Sequence, residues 1–95
     1  MLIWYTKRVM DKAKTDVTVY GATWCAFCHT AKAYLNSLKV PFKDIDVDHQ
    51  EGAAEELVKM TGMSAVPVIK IGNEVIVGFD RQRIDLALRS NKLIK

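Results

Sequence analysis

Two thiols and an imidazole stand within five residues in Cys25-Ala26-Phe27-Cys28-His29, and these are the only cysteines of the 95-residue chain. Such a pentapeptide fits three chemistries. A C-x-x-C pair can cycle between dithiol and disulfide, and C-x-x-C-H is also the attachment signal for a c-type haem. Cys25, Cys28 and His29, with His49 as a fourth, reach the ligand count of a zinc site. The zinc reading is weak, because the histidines have no characteristic spacing. The elements that carry the motif decide between the other two.

Val17-Thr18-Val19-Tyr20 is a β-branched and aromatic run ended by Gly21, which predicts a strand. The loop Gly21-Ala22-Thr23-Trp24 leads into the cysteines. From Phe27, the apolar positions Phe27, Ala31, Tyr34, Leu35 and Leu38 mark one face of a helix that Pro41 cannot continue. Cys25 therefore falls at the mouth of a helix. There the first backbone N–H groups lack helical partners and the dipole adds partial positive charge, an environment that favours a thiolate. Cys28 lies one turn in on the same side, within reach but deeper. Cys25 is then the attacking thiol and Cys28 the thiol that resolves the mixed disulfide.

Further along, Phe42-Lys43-Asp44-Ile45-Asp46-Val47 alternates as a strand with one buried face, and Asp48-His49-Gln50-Glu51 reads as the capped start of a second helix carrying Ala54, Leu57, Val58 and Met60, with Gly62 as its stop. Pro67–Ile71 and Glu74–Val77, separated only by Gly72-Asn73, predict an antiparallel hairpin. Asp80 caps a last helix with Ile84, Ala87 and Leu88 inward. The order β-α-β-α-β-β-α makes the first two strands parallel through a right-handed crossover, giving an α/β fold with a mixed sheet and helices on both faces. Haem proteins of the c type are helical, and Met60, the axial ligand one could imagine with Met63, is better explained by the second helix's apolar face. A dithiol is what remains.

Composition agrees. Net charge is +3, but Lys7, Arg8, Lys12 and Lys14 against Asp11 account for all of it, and the ten basic and ten acidic side chains of residues 15–95 balance. No basic stripe on a folded domain announces nucleic-acid binding, and no apolar run approaches the ~20 residues that span a bilayer. The first residues lack the order of charge, apolar stretch and cleavage site that a secretory signal needs. A cytoplasmic monomer is expected, with residues 1–14 a flexible extension, residues 15–95 the domain, and Met10 a candidate translation start.

Tyr20 to Cys28, then Ala65-Val66-Pro67, then Gly78-Phe79-Asp80 together resemble the glutaredoxin branch of the thioredoxin superfamily, over roughly residues 16–92. The resemblance implies a thioredoxin fold with four strands in the order 2-1-3-4 and three helices. It also implies a cis Val66–Pro67 peptide facing the cysteines, and a substrate-binding surface made by Trp24, Phe27, Ala65, Val66, Pro67, Gly78, Phe79 and Asp80. The activity implied is reduction of protein disulfides, with no tightly bound cofactor and with glutathione or thioredoxin reductase as reductant. Departures from the family pattern bear on that choice. Ala26-Phe27 replaces Pro-Tyr, no lysine precedes the motif, Ala65 replaces Thr, and Phe79 replaces a glycine, which is expected to set a ring where glutathione would approach. Asp80 either caps the last helix or binds the γ-glutamyl amine. Trp24 before Cys25 is similar to thioredoxin, where it offers a flat apolar docking surface. Gly78-Phe79 is similar to the glutaredoxin-like electron donors of ribonucleotide reductase, which take electrons from thioredoxin reductase. Because Ala26 stands in the Pro position, the alternative is a [2Fe–2S] carrier with glutathione as co-ligand.

Overall fold

The computed structural model describes residues 16–94. The expectations for residues 1–14 lie outside that range. Seven elements follow in the predicted order: β1 (Val17–Gly21), α1 (Ala26–Ser37), β2 (Lys43–Asp46), α2 (Ala53–Thr61), β3 (Val68–Ile71), β4 (Glu74–Val77) and α3 (Arg81–Ser90). The sheet order is β2-β1-β3-β4. β1 runs parallel to β2, with Tyr20 opposite Ile45, and antiparallel to β3, with Val19 opposite Ile69; β3 and β4 form the hairpin.

The period-two alternation of a strand sends successive side chains to opposite faces, and here both faces are covered. Val17, Val19, Ile69, Ile71 and Ile76 meet Ala31 and Leu35 of α1 and Ile84, Ala87 and Leu88 of α3. On the other face Tyr20, Ile45 and Val68 meet Ala53 and Leu57 of α2. The central strands β1 and β3 are thus apolar on nearly every residue. Fully burying a side chain such as Leu35 or Ile69 contributes about 1.5–3 kcal/mol.

Three local expectations change. The second strand is shorter than expected, Lys43–Asp46, and buries only Ile45, toward α2; Phe42, before it, packs on the α1/α3 side instead. The second helix begins later than expected, at Ala53 after a left-handed Gly52 (φ 81°) that gives no side-chain cap. Residues 48–51 instead form turns around Asp46, whose side chain accepts from the Asp48 N–H (2.9 Å) and whose carbonyl accepts from the Gln50 N–H (2.8 Å). Phe27 is 66% exposed, because the buried stripe of α1 runs through Cys28, Ala31 and Leu35. Helical geometry turns Phe27 about 100° away from Cys28. Met60 does pack in the α2 cluster, as its place on that helix's apolar face requires.

Candidate functional site

Gly21 ends β1, and four residues later Cys25 is itself the N-cap of α1, with extended backbone (φ −91°, ψ 111°). Its Sγ accepts from the Cys28 N–H at 3.2 Å. The side chain that satisfies the orphan donor of the first turn is therefore the sulfur of Cys25 rather than a hydroxyl or carboxylate. The Cys25 N–H in turn donates to the Ala22 carbonyl at 3.1 Å, which closes the loop before the helix. Both cysteines are free thiols. Cys25 keeps 7% of its surface and Cys28 none, the ordering of depth that the i,i+3 spacing predicts. Burial, with the hydrogen bond from Cys25 next, pushes the Cys28 thiol up to about 12. At neutral pH Cys28 therefore holds its proton.

The close approach of Cys28 to the sheet is made by Gly21. A Cβ built on Gly21 would stand 3.0 Å from both Cβ and Sγ of Cys28. Sequence reasoning saw Gly21 only as a strand terminator; its proximity to a residue seven positions on is a tertiary fact that local pattern does not carry.

Of the two segments that the resemblance implied, 65–67 meets the cysteines through Val66, and 78–80 is tied to it by a hydrogen bond rather than packed on the thiols. The Val66–Pro67 peptide is cis. Val66 packs against the cluster of Ala22, Cys25 and Cys28, while Ala65 is exposed and Pro67 buried. Gly78, at φ 89°, donates its N–H to the Pro67 carbonyl at 2.8 Å, which pins the second loop to the first. Asp80 caps α3 by accepting from the Arg83 N–H at 3.2 Å. Phe79 is placed differently from expectation. Its ring joins the α1/α3 core and stands edge-on to Tyr34 at 5.9 Å between centroids. Tyr34 is fixed there by its hydroxyl to Asp85 and by the Arg81 guanidinium 4.9 Å over its ring. The apolar seam between the helices, not the groove beside Cys25, accommodates the Phe79 ring.

Around Cys25 the surface is aromatic. Trp24 is 70% exposed, which excludes the role of core filler, and its indole Nε1–H donates to Asp48 Oδ2 at 2.8 Å. His29 Nε2 bonds the Thr23 carbonyl at 2.8 Å, so the imidazole clasps the loop on its outer side. His49 is engaged elsewhere: its Nδ1 donates to Asp46 Oδ2 at 2.8 Å. Among the described residues, no group of three or more His, Cys, Asp or Glu side chains is arranged to hold a metal ion.

The Asp46–His49 pair is exposed and titratable. The hydrogen bond from His49, helped by the Asp48 N–H, holds the Asp46 carboxyl below its ordinary range, and the same bond to Asp46 raises the His49 imidazole. A lowered acid stabilises the fold above its ordinary value of 3.8 and loses that contribution as pH falls. A raised base stabilises below its ordinary 6.5 and loses it as pH climbs through the raised value. The stability difference between the wild type and His49→Gln is therefore expected to peak between those two values and to vanish on the alkaline side. Thermal melts across pH check this; a difference that grows above neutrality refutes it.

With this geometry in place, comparison with known proteins identifies the family. The glutaredoxin family model matches residues 17–76, which takes in the thiol pair, the cis-proline loop and the hairpin. The chain belongs to the glutaredoxin family. Glutaredoxin 3 of Escherichia coli strain K12 is 37% identical over 65 residues, covering 68% of this chain and 78% of its own. A glutaredoxin-like 8.6 kDa protein in the rubredoxin operon of Clostridium pasteurianum is 35% identical, over 73% of this chain and 92% of that one. In three dimensions the chain superposes on the glutaredoxin-like NrdH-redoxin of Escherichia coli with a TM-score of 0.68 and 30% identity, covering 75% and 92% of the two chains. Glutaredoxins are dithiol–disulfide oxidoreductases of thioredoxin fold, and so is this protein. No described helix is long and apolar enough to cross a membrane.

Proposed function

We propose that the protein reduces disulfides of other proteins, with Cys25 as attacking thiol and Cys28 as resolving thiol, and that a flavoenzyme of the thioredoxin reductase class re-reduces it in preference to glutathione. Cys25 attacks a substrate disulfide and displaces one substrate thiol, leaving a mixed disulfide. Cys28 loses its proton and attacks Cys25, the second substrate thiol departs, and the Cys25–Cys28 disulfide forms. Two electrons from the reductase restore both thiols. Trp24, Phe27, Ala65, Val66, Pro67, Gly78 and Asp80 are the substrate-binding set of this reading, and Phe79, its ring in the helix seam, anchors the 78–80 segment rather than touching substrate.

The observation that carries the donor preference is the surface beside Cys25: two exposed aromatic rings, Trp24 and Phe27, and no lysine or arginine anywhere from Gly21 to Cys28. Glutathione brings two carboxylates that want charged partners, whereas a protein face brings apolar area that wants rings. Asp80 supports the same preference, since its carboxylate already serves the Arg83 N–H. The NrdH-redoxin with which this chain superposes is described as having a thioredoxin-like activity profile. The test compares donors on one protein disulfide. Turnover driven by NADPH and thioredoxin reductase is expected to exceed that driven by glutathione and glutathione reductase by about tenfold or more, the worth of one lost charged contact. Faster turnover with glutathione alone reverses the donor assignment while leaving the dithiol chemistry standing.

A further inference from the structure

Lys32 lies four residues beyond Cys28 on α1, a spacing that sets two side chains on the same helix face with Cβ atoms about 5–6 Å apart. Its ammonium donates to Asp44 Oδ2 of β2 at 3.0 Å, and its side chain is only 23% exposed. The pair lines an open cleft of about 120 Å³ whose other walls are Gly21, Ala22, Thr23 and Asp46. Gly21 also lies against Cys28: a Cβ on it would stand 3.0 Å from the Cys28 Sγ. The cleft and the resolving sulfur are thus separated by one glycine. Burial dominates the environment of the Cys28 thiol and opposes its ionisation; the Ala22 backbone and, more weakly, the Lys32 charge act in the other direction.

The chemistry of resolution makes this arrangement useful. A thiol buried without exposure must become a thiolate before it can attack, and an isolated buried anion is costly unless a cation stands near it. We propose that Lys32 is a positioning residue for the resolving step: its ammonium, anchored by Asp44, stabilises the Cys28 thiolate while the proton leaves to solvent through the cleft beside Gly21. The Cys28 S–H bond breaks, the sulfur electron pair forms the bond to Cys25 Sγ, and the Cys25–substrate S–S bond breaks. The departing sulfur keeps that bond's electron pair and takes a proton from solvent. The other groups that bear on this site are Cys25 from the helix cap, Asp44, and Asp46 with its partner His49. Gly21 and Ala22 from the β1 side, and Val66 from the loop before β3, bring no charge.

The inference rests on Cys28 being the resolving thiol, so the experiment reads both. Cys25 of the full chain is loaded with thionitrobenzoate as a mixed disulfide, and its release is followed in a single turnover from pH 5 to pH 10. Wild type is expected to release the chromophore and Cys28→Ser to retain it; release from Cys28→Ser equal to wild type overturns the resolving role itself. Lys32→Met and Lys32→Gln are expected to shift the release profile about one pH unit to the alkaline side, slowing release about tenfold at neutral pH, whereas Lys32→Arg, which keeps the charge, stays on the wild-type profile. Superposable profiles for Lys32→Met, Lys32→Gln and wild type overturn the proposal, as does an equal shift in Lys32→Arg. Melting temperatures of the same samples exclude loss of the fold as the source of a shift.

Discussion

Cys25→Ser is expected to leave a folded protein with no disulfide reductase activity above background, and Cys28→Ser a protein that reacts once and stops. The two outcomes follow from depth. Of the two cysteines only Cys25 keeps accessible surface, at the N-cap of α1, with a backbone N–H from Cys28 directed at its sulfur. A serine there still caps the helix, because a hydroxyl oxygen accepts the same bond. Stability should thus change by no more than about 1 kcal/mol, while a serine hydroxyl at neutral pH does not attack a disulfide. In Cys28→Ser the first displacement proceeds and the second has no thiol, so covalent complexes with substrate accumulate and dissolve only on adding reductant. Mass spectrometry under non-reducing conditions checks both. Unchanged multiple turnover in Cys28→Ser would remove the resolving role, and activity in Cys25→Ser would remove the attacking one.

Gly21→Ala is expected to be disruptive out of proportion to the single methyl it adds. The new Cβ would meet Cβ and Sγ of Cys28 at 3.0 Å, tighter than side chains normally tolerate, and Cys28, short and fully buried, has little room to give. Either α1 moves off the sheet at its first turn or β1 gives way. Overpacking of this kind costs about 1–3 kcal/mol, and the displaced first turn also carries Cys25. Both stability and rate should therefore fall together. Measured by chemical denaturation, the penalty should shrink in a Cys28→Ala background, where the Sγ contact is gone and the Cβ contact remains; such a coupling is what residues in direct contact show. An identical penalty in the two backgrounds would place the clash elsewhere.

How much of this could be read from sequence depends on whether the cause was local. Val17–Tyr20, the Gly72-Asn73 hairpin and the Ile84, Ala87, Leu88 stripe follow periods of two or 3.6 set within a few residues, and those elements stand where they were expected. So does the pairing of depth in Cys25 and Cys28, a consequence of one helical turn. What failed was decided between distant segments. Asp48 looked like a helix cap, yet it binds the Trp24 indole across 24 positions. Phe79 looked like an obstacle in a groove, yet Tyr34, 45 residues earlier, receives its ring. Phe27 was counted into an apolar face because its type fits; the sheet beneath α1 has room only for Cys28, Ala31 and Leu35. The Lys32–Asp44 pair left one faint trace in sequence, the i+4 spacing from Cys28.

The complete burial of Cys28 also bears on survival under oxidants. With Cys25 as the attacking thiol, as proposed, a peroxide is expected to meet it before Cys28 and convert it to a sulfenic acid. Further oxygen on that sulfur would be irreversible damage. Cys28, shielded from the oxidant and held 3.2 Å by its own N–H from the injured sulfur, condenses with the sulfenic acid, expels water and yields the same disulfide that normal turnover produces. The thiol hidden for the sake of the reaction order is therefore also a reserve: it turns a chemical lesion into an ordinary intermediate that the cell's reductant already knows how to clear.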